Sequence, residues 1–209
     1  MVDTEVAFTT SEENCSINSS KVSPKSALCL ILPSEVATEI QAIRALHDKQ
    51  FYRWPPHINL LYPFYSDTDN VFDECAKNVA KRFASSQLQP ITIHLDHSCF
   101  DFFNHKNSCT LLLKPTQEAK NKLKKLHKDL EDLFPDLCDK RFPEYQPHLS
   151  LGQFDSTRVK EFAQQFATEW ESKAITVDWN IDRVCLISRA DFNDSFHVRK
   201  TILFDGTVL

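Results

Sequence analysis

The chain has 209 residues, 42% of them hydrophobic, enough to bury one substantial core, and its longest apolar run of six residues is far too short to span a bilayer. A formal charge of −5 argues against a broad electrostatic grip on long nucleic acid, which needs many Lys and Arg contacts to phosphate. With only two glycines, Gly152 and Gly206, no Gly-rich phosphate cradle can be built, which disfavours an ATP-dependent kinase or ligase of usual design.

Residues 1–24, rich in Ser, Thr, Asn and Glu, lack a basic start and an apolar core and read as a disordered tail with no signal peptide. An apolar strand at 27–32 follows, then Pro33, Ser34 as a helix N-cap, and a helical stretch to about residue 50. Pro56-His57-Ile58-Asn59-Leu60 comes next, then an amphipathic helix at 71–86 and a long hairpin pairing 91–103 with 108–114. The order then repeats. Strand 110–113 leads to Pro115, Thr116 as N-cap, a helical stretch to about residue 134 and a loop at 135–146. Pro147-His148-Leu149-Ser150-Leu151 follows, then a helix at 157–172 and a hairpin pairing 182–189 with 196–204. The six lysines between Lys114 and Lys128 accompany an apolar stripe of Leu123, Leu126, Leu130 and Leu133 and so mark the solvated face of an ordinary helix.

The two Pro-His strings carry the chemistry. Period-two alternation puts His57 and Asn59 on one strand face, and His148 and Ser150 on one face of theirs. Such a face offers an ionisable group and a neutral donor about 7 Å apart. Cleaving a phosphodiester in line needs a base on the attacking side and an acid on the leaving side, posts that two imidazoles fill near neutral pH. Asn59 and Ser150 supply donors for the phosphoryl oxygens. A single histidine in an apolar strand is ordinarily a core residue; a second copy of His-x-polar has no such explanation. No carboxylate or thiol accompanies either motif, so no metal site is expected there, and no cofactor. His94, His97 and Cys99 resemble a ligand set on paper, but odd spacing on a strand sends the two histidines to opposite faces. The seven cysteines, odd in number and mostly within apolar strands, read as reduced core residues of a cytoplasmic or nuclear protein, although Cys99 and Cys109 could face each other across the first hairpin.

At these residues the chain resembles the 2H phosphoesterase superfamily, the group of 2′-5′ RNA ligase-like proteins and RNA 2′,3′-cyclic phosphodiesterases. The likeness covers about residues 25–205. It implies an α+β, bilobal fold made of a duplicated β-α-β unit, with two antiparallel sheets flanking a cleft and helices outside. It also implies one domain over 25–205 followed by a short tail at 206–209. Carried over, His57 and His148 are the general acid/base pair and Ser150 a phosphate ligand, opening a 2′,3′-cyclic phosphate or cutting a 2′-5′ or 3′-5′ linkage without metal. Two positions depart from the family pattern. Asn59 stands where Thr or Ser is usual, and Gln153 where many bacterial relatives carry a basic residue, a charge that Arg53, Arg189 or a lysine could replace. Tyr62, Tyr145, Phe103, Gln153 and Arg53 are the candidate substrate contacts. The expected partner is a nucleotide or RNA end met by a monomer, away from membranes. Two other readings stay open: a nucleotide-binding module of the same fold with little or no activity, and a cyclic phosphodiesterase for a small metabolite such as ADP-ribose cyclic phosphate.

Overall fold

A computed structural model describes residues 21–106, 108–137 and 144–209. The first twenty residues of the expected tail, and positions 138–143 of the loop before the second motif, lie outside the described residues. The elements run β1 (Val22–Ser23), β2 (Ser26–Ile31), α1 (Thr38–His47), β3 (His57–Leu61), β4 (Phe64–Tyr65), α2 (Val71–Ser86), β5 (Ile91–Leu95), β6 (Phe100–Asn104), β7 (Cys109–Leu113), α3 (Gln117–Leu133), β8 (Leu149–Phe154), α4 (Val159–Ser172), β9 (Val177–Ile181), β10 (Arg183–Ser188) and β11 (His197–Leu203).

Two antiparallel sheets dominate, ordered β11-β10-β2-β3 and β6-β7-β8. The duplication is visible in the pairing. In each copy the motif strand (β3 or β8) is an edge strand, paired to the strand that opens the copy (β2 or β7), which pairs in turn with a hairpin strand (β10 or β6). The edge strands β3 and β8 meet, so the two sheets adjoin along the motifs. Helices cross between the copies: α1 packs on β8 and α3 on β3, while α2 and α4 cover β11 and β6. Each helix turns an apolar stripe to the core, as with Ala119, Leu123, Leu126 and Leu130 of α3. One large cluster fills the space between helices and sheets, and a smaller one (Ala27, Cys29, Cys185, Ile187 and Phe196) lies on the motif-bearing face of the first sheet.

Several expectations need correcting. The first hairpin is broken: Asp96 accepts the Ser98 N–H at 2.8 Å, turning 97–99 into a short 3-10 segment. Only β6 then pairs with β7, and β5 pairs instead with β9, a strand the sequence reading left unassigned. Cys109 stands opposite Asn104, not Cys99, and both cysteines are free thiols. His97 sits in the 3-10 turn, so no strand separates it from His94; among the described residues no group of three or more potential ligands is arranged to hold a metal. Ser34 bonds its neighbour Glu35 and does not cap α1, which starts at Thr38; Thr116 does cap α3, accepting from the Ala119 N–H. Val22 and Ser23, placed in the tail, pair with Tyr65 and Phe64, and the C-terminal residues fold back so that Thr201 and Leu209 exchange backbone bonds.

Gly152 is demanded by the crossing of α1 over β8. A Cβ built there would meet the His47 carbonyl carbon and oxygen at 2.7 Å. Backbone cannot yield as a side chain tip does. Gly152→Ala is therefore expected to cost about 1–3 kcal/mol, as overpacking does, measured as a shift in denaturant midpoint at unchanged slope.

Candidate active site

The motifs alternate as expected: His57, Asn59, His148 and Ser150 are part-exposed, whereas Ile58, Leu60, Leu149 and Leu151 are buried. A matching irregularity interrupts both strands. Cys29 pairs with Asn59 and Leu28 with Leu61, so Leu60 is an extra residue; Leu112 pairs with Ser150 and Leu111 with Gly152, so Leu151 is its counterpart. A bulge shifts the following residues by one and flips their faces. Gln153, opposite Thr110, thus joins the face of His148 and Ser150, and Tyr62 joins that of His57 and Asn59. Simple alternation would have put both on the buried side.

Each imidazole is held in the same way. Nδ1 of His57 lies 2.8 Å from the carbonyl of Pro55, and Nδ1 of His148 lies 2.8 Å from that of Gln146, both two residues upstream. A carbonyl only accepts, so Nδ1 carries the proton of the neutral ring and Nε2 keeps its lone pair for other work. An aromatic ring completes each setting: Trp54 stacks on His57 at 4.5 Å and 17°, and Phe103 meets His148 edge-on at 4.8 Å. The two imidazoles are within electrostatic reach, since His148 acts on His57 to disfavour its charged form.

Burial dominates the titration of both. Desolvation by burial pushes His57 down to about 4, partly opposed by the Pro55 carbonyl and aided by Arg44 and His148. His148 is also lowered, first by desolvation and then by Lys114 and His105, against the Gln146 carbonyl. Both rings are thus neutral at pH 7. Linkage fixes the sign: an unfolded His57 takes up its proton near pH 6.5 and the folded one only near 4, so stability is full above 6.5 and falls between those values. The loss is on the order of 2 kcal/mol, allowing for solvent at the part-exposed ring. Unfolding curves from pH 7 to 4 are expected to show that excess loss in wild type relative to His57→Gln.

The other candidates fall into two groups. Phe103 and Tyr62 stand by the imidazoles, Tyr62 through an edge contact of 5.3 Å with Trp54. Tyr145, Gln153 and Arg53 are engaged elsewhere. The Tyr145 hydroxyl donates to the Asn59 carbonyl at 2.8 Å while its ring stacks on His127 at 4.0 Å, tying the segment ahead of β8 to β3 and α3. Arg53 donates to the Lys49 carbonyl (3.4 Å) and makes no described contact with either histidine. Gln153 accepts from the Lys49 N–H (2.9 Å) and donates to Asp48 Oδ1 (3.2 Å). Asp48 in turn pairs with Arg44, and Arg44 Nη2 donates to the Trp54 carbonyl at 2.8 Å. Gln153 therefore reaches His57 through Asp48, Arg44 and Trp54. The sequence reading missed Arg44, Asp48 and Trp54; only the place of Trp54, just ahead of Pro55-Pro56-His57, gave a sign. Asn59 is unspent: its buried Oδ1 has no partner among the described residues. A cavity of about 860 Å³ opens beside Ile31, Pro55 and Pro56, next to His57 though lined by neither imidazole.

A duplicated antiparallel fold with twinned His-x-polar strands meeting at their edges defines a 2H-type phosphoesterase architecture. The family model of the 2′-5′ RNA ligase superfamily matches residues 32–192, and the chain belongs to that superfamily. A Geobacillus sp. (strain WCH70) protein assigned as a phosphoesterase is 22% identical over 182 residues, 87% of this chain and 97% of the relative. Among solved structures, Escherichia coli LigT in apo form superposes with a TM-score of 0.53 at 16% identity, covering 88% of this chain and 98% of LigT. TT0787 of Thermus thermophilus gives 0.52 at 14%, covering 87% and 98%. LigT complexed with 3′-AMP gives 0.51 at 15%, covering 86% and 97%. These likenesses are of fold.

Proposed function

We propose that the protein is a metal-independent phosphodiesterase that opens a 2′,3′-cyclic phosphate or cuts a 2′-5′ or 3′-5′ linkage at a nucleotide or RNA end. The observation that carries this reading is the identical treatment of the two imidazoles, each with Nδ1 tied to a carbonyl and Nε2 left over. His57, held neutral by burial, is the base: its Nε2 takes a proton from water or a ribose hydroxyl as that oxygen forms a bond to phosphorus. His148 is protonated first and gives its proton to the departing ribose oxygen as the opposite P–O bond breaks. A bound phosphate restores that proton, because its negative charge offsets the desolvation that keeps the ring neutral. The Ser150 hydroxyl and the Asn59 amide contact the phosphoryl oxygens. The 3′-AMP bound by LigT supports a nucleotide bearing phosphate on its ribose.

The test is turnover of adenosine 2′,3′-cyclic phosphate and 2′-5′ oligoadenylate in excess EDTA. Product formation is expected. Calorimetric binding of 3′-AMP with no turnover of either substrate would replace the enzyme by a nucleotide-binding module of the same fold.

A further inference from the structure

The motif face carries a cation that the acid/base chemistry leaves unused. The Arg189 N–H donates to the Lys25 carbonyl at 3.0 Å, continuing the β10–β2 ladder beyond Ser188 and Ser26. Alternation from Cys185 and Ile187 then sets Arg189 on the face of Cys29, His57 and Asn59. Its guanidinium lies 4.5 Å from the centre of Phe196 and 5.3 Å from that of Phe192. Phe196 packs on Trp54 at 3.8 Å, and Trp54 stacks on His57, so Arg189 reaches the base through two rings.

Arg189 is only 9% exposed, yet among the described residues its side chain makes one hydrogen bond, Nη1 to the Phe192 carbonyl at 2.8 Å. Nε is buried with no partner, and among the described residues no carboxylate pairs with the charge. Folded proteins pair buried guanidinium groups, because an uncompensated one is costly. The Nε–Nη2 edge makes no hydrogen bond among the described residues and is a fork that fits two oxygens of a phosphate. Register places His105 at the equivalent position of the other lobe, bonded to Thr110, so at this position only the His57 lobe carries a permanent charge. Tyr62 and Phe192, 41% and 53% exposed, lie near this residue and are aromatic side chains on which a base could stack.

We propose that Arg189 seats a second phosphate of the substrate, one that is not attacked, so that the preferred substrate is an oligonucleotide end carrying at least two phosphates. This rests on the phosphodiesterase reading and names its substrate class. The experiment is calorimetric titration of wild type, Arg189→Gln and Arg189→Lys with 3′-AMP and with the dinucleotide ApAp, which adds one internal phosphate. Wild type is expected to bind ApAp about tenfold or more tighter, with a salt slope steeper by about 0.7, one phosphate of a single strand. Arg189→Gln should remove that advantage, weakening ApAp more than 3′-AMP; Arg189→Lys should keep part of it. Equal affinity and equal salt slope in wild type, which need no variant to fold, overturn the second seat alone. Equal weakening of both ligands by Arg189→Gln also overturns it, and failure of wild type to bind either ligand overturns the phosphodiesterase reading with it.

Discussion

Alanine in place of His57 or His148 is expected to lower kcat by about 10²–10⁴ while leaving the affinity for 3′-AMP nearly intact, since each ring supplies a proton transfer. The double variant should be hardly slower than the worse single one, because residues acting as a unit do not contribute additively. The two roles are separable by the leaving group. A p-nitrophenyl phosphodiester departs without a proton, so the His148→Ala defect should shrink to about tenfold or less on it, while the His57→Ala defect persists. The reverse pattern would exchange base and acid, and single variants that slow neither substrate would remove the histidines from the chemistry. The assignment stems from the setting of His57, whose ring stacks on Trp54, itself packed against the apolar cluster of Cys29, Cys185 and Ile187.

The repeat was legible because it is written locally. Helix 71–86 and the strands of the second hairpin follow from hydrophobic period and turn chemistry within a short window, and each recurs in the structure. β9 was not read, although its signal is of the same kind: Val177, Trp179 and Ile181 alternate with exposed Asp178 and Asn180, the same pattern as Ile91–Leu95. What no window contains is that these two strands pair with each other, nor that β6 would be freed from β5 by an Asp96 turn. The bulges at Leu60 and Leu151 are invisible for a related reason. Leu fits either face of an alternating strand, and only the partner's register shows which residue is extra. At the site, the motif histidines announced themselves by duplication, whereas Arg44 and Asp48 look like an ordinary i, i+4 surface pair. Their burial depends on β8 and the Trp54 loop closing over them from elsewhere in the chain.

That buried pair gives the other large expected effect. Arg44 and Asp48 are 2% and 4% exposed, and Asp48 also accepts from Gln153 and from the Gln50 N–H. Asp48→Ala leaves a guanidinium uncompensated in the interior and is expected to cost about 3–5 kcal/mol. Loss of stability alone would not show that the network positions His57. Replacing both partners, Arg44→Met with Asp48→Leu, removes the orphan charge and should recover most of the stability, as buried ion pairs often tolerate apolar replacement. The Trp54 carbonyl nevertheless loses its Arg44 donor in that variant, and Gln153 loses its Asp48 acceptor. If the chain from Gln153 to Trp54 orients the base, kcat should stay lowered by about tenfold or more with KM little changed, since small misplacements of a reacting group are costly in rate. Full recovery of both stability and kcat would mean that the pair only fills space beneath the motif, and that the Pro55 carbonyl and the Trp54 ring hold His57 unaided.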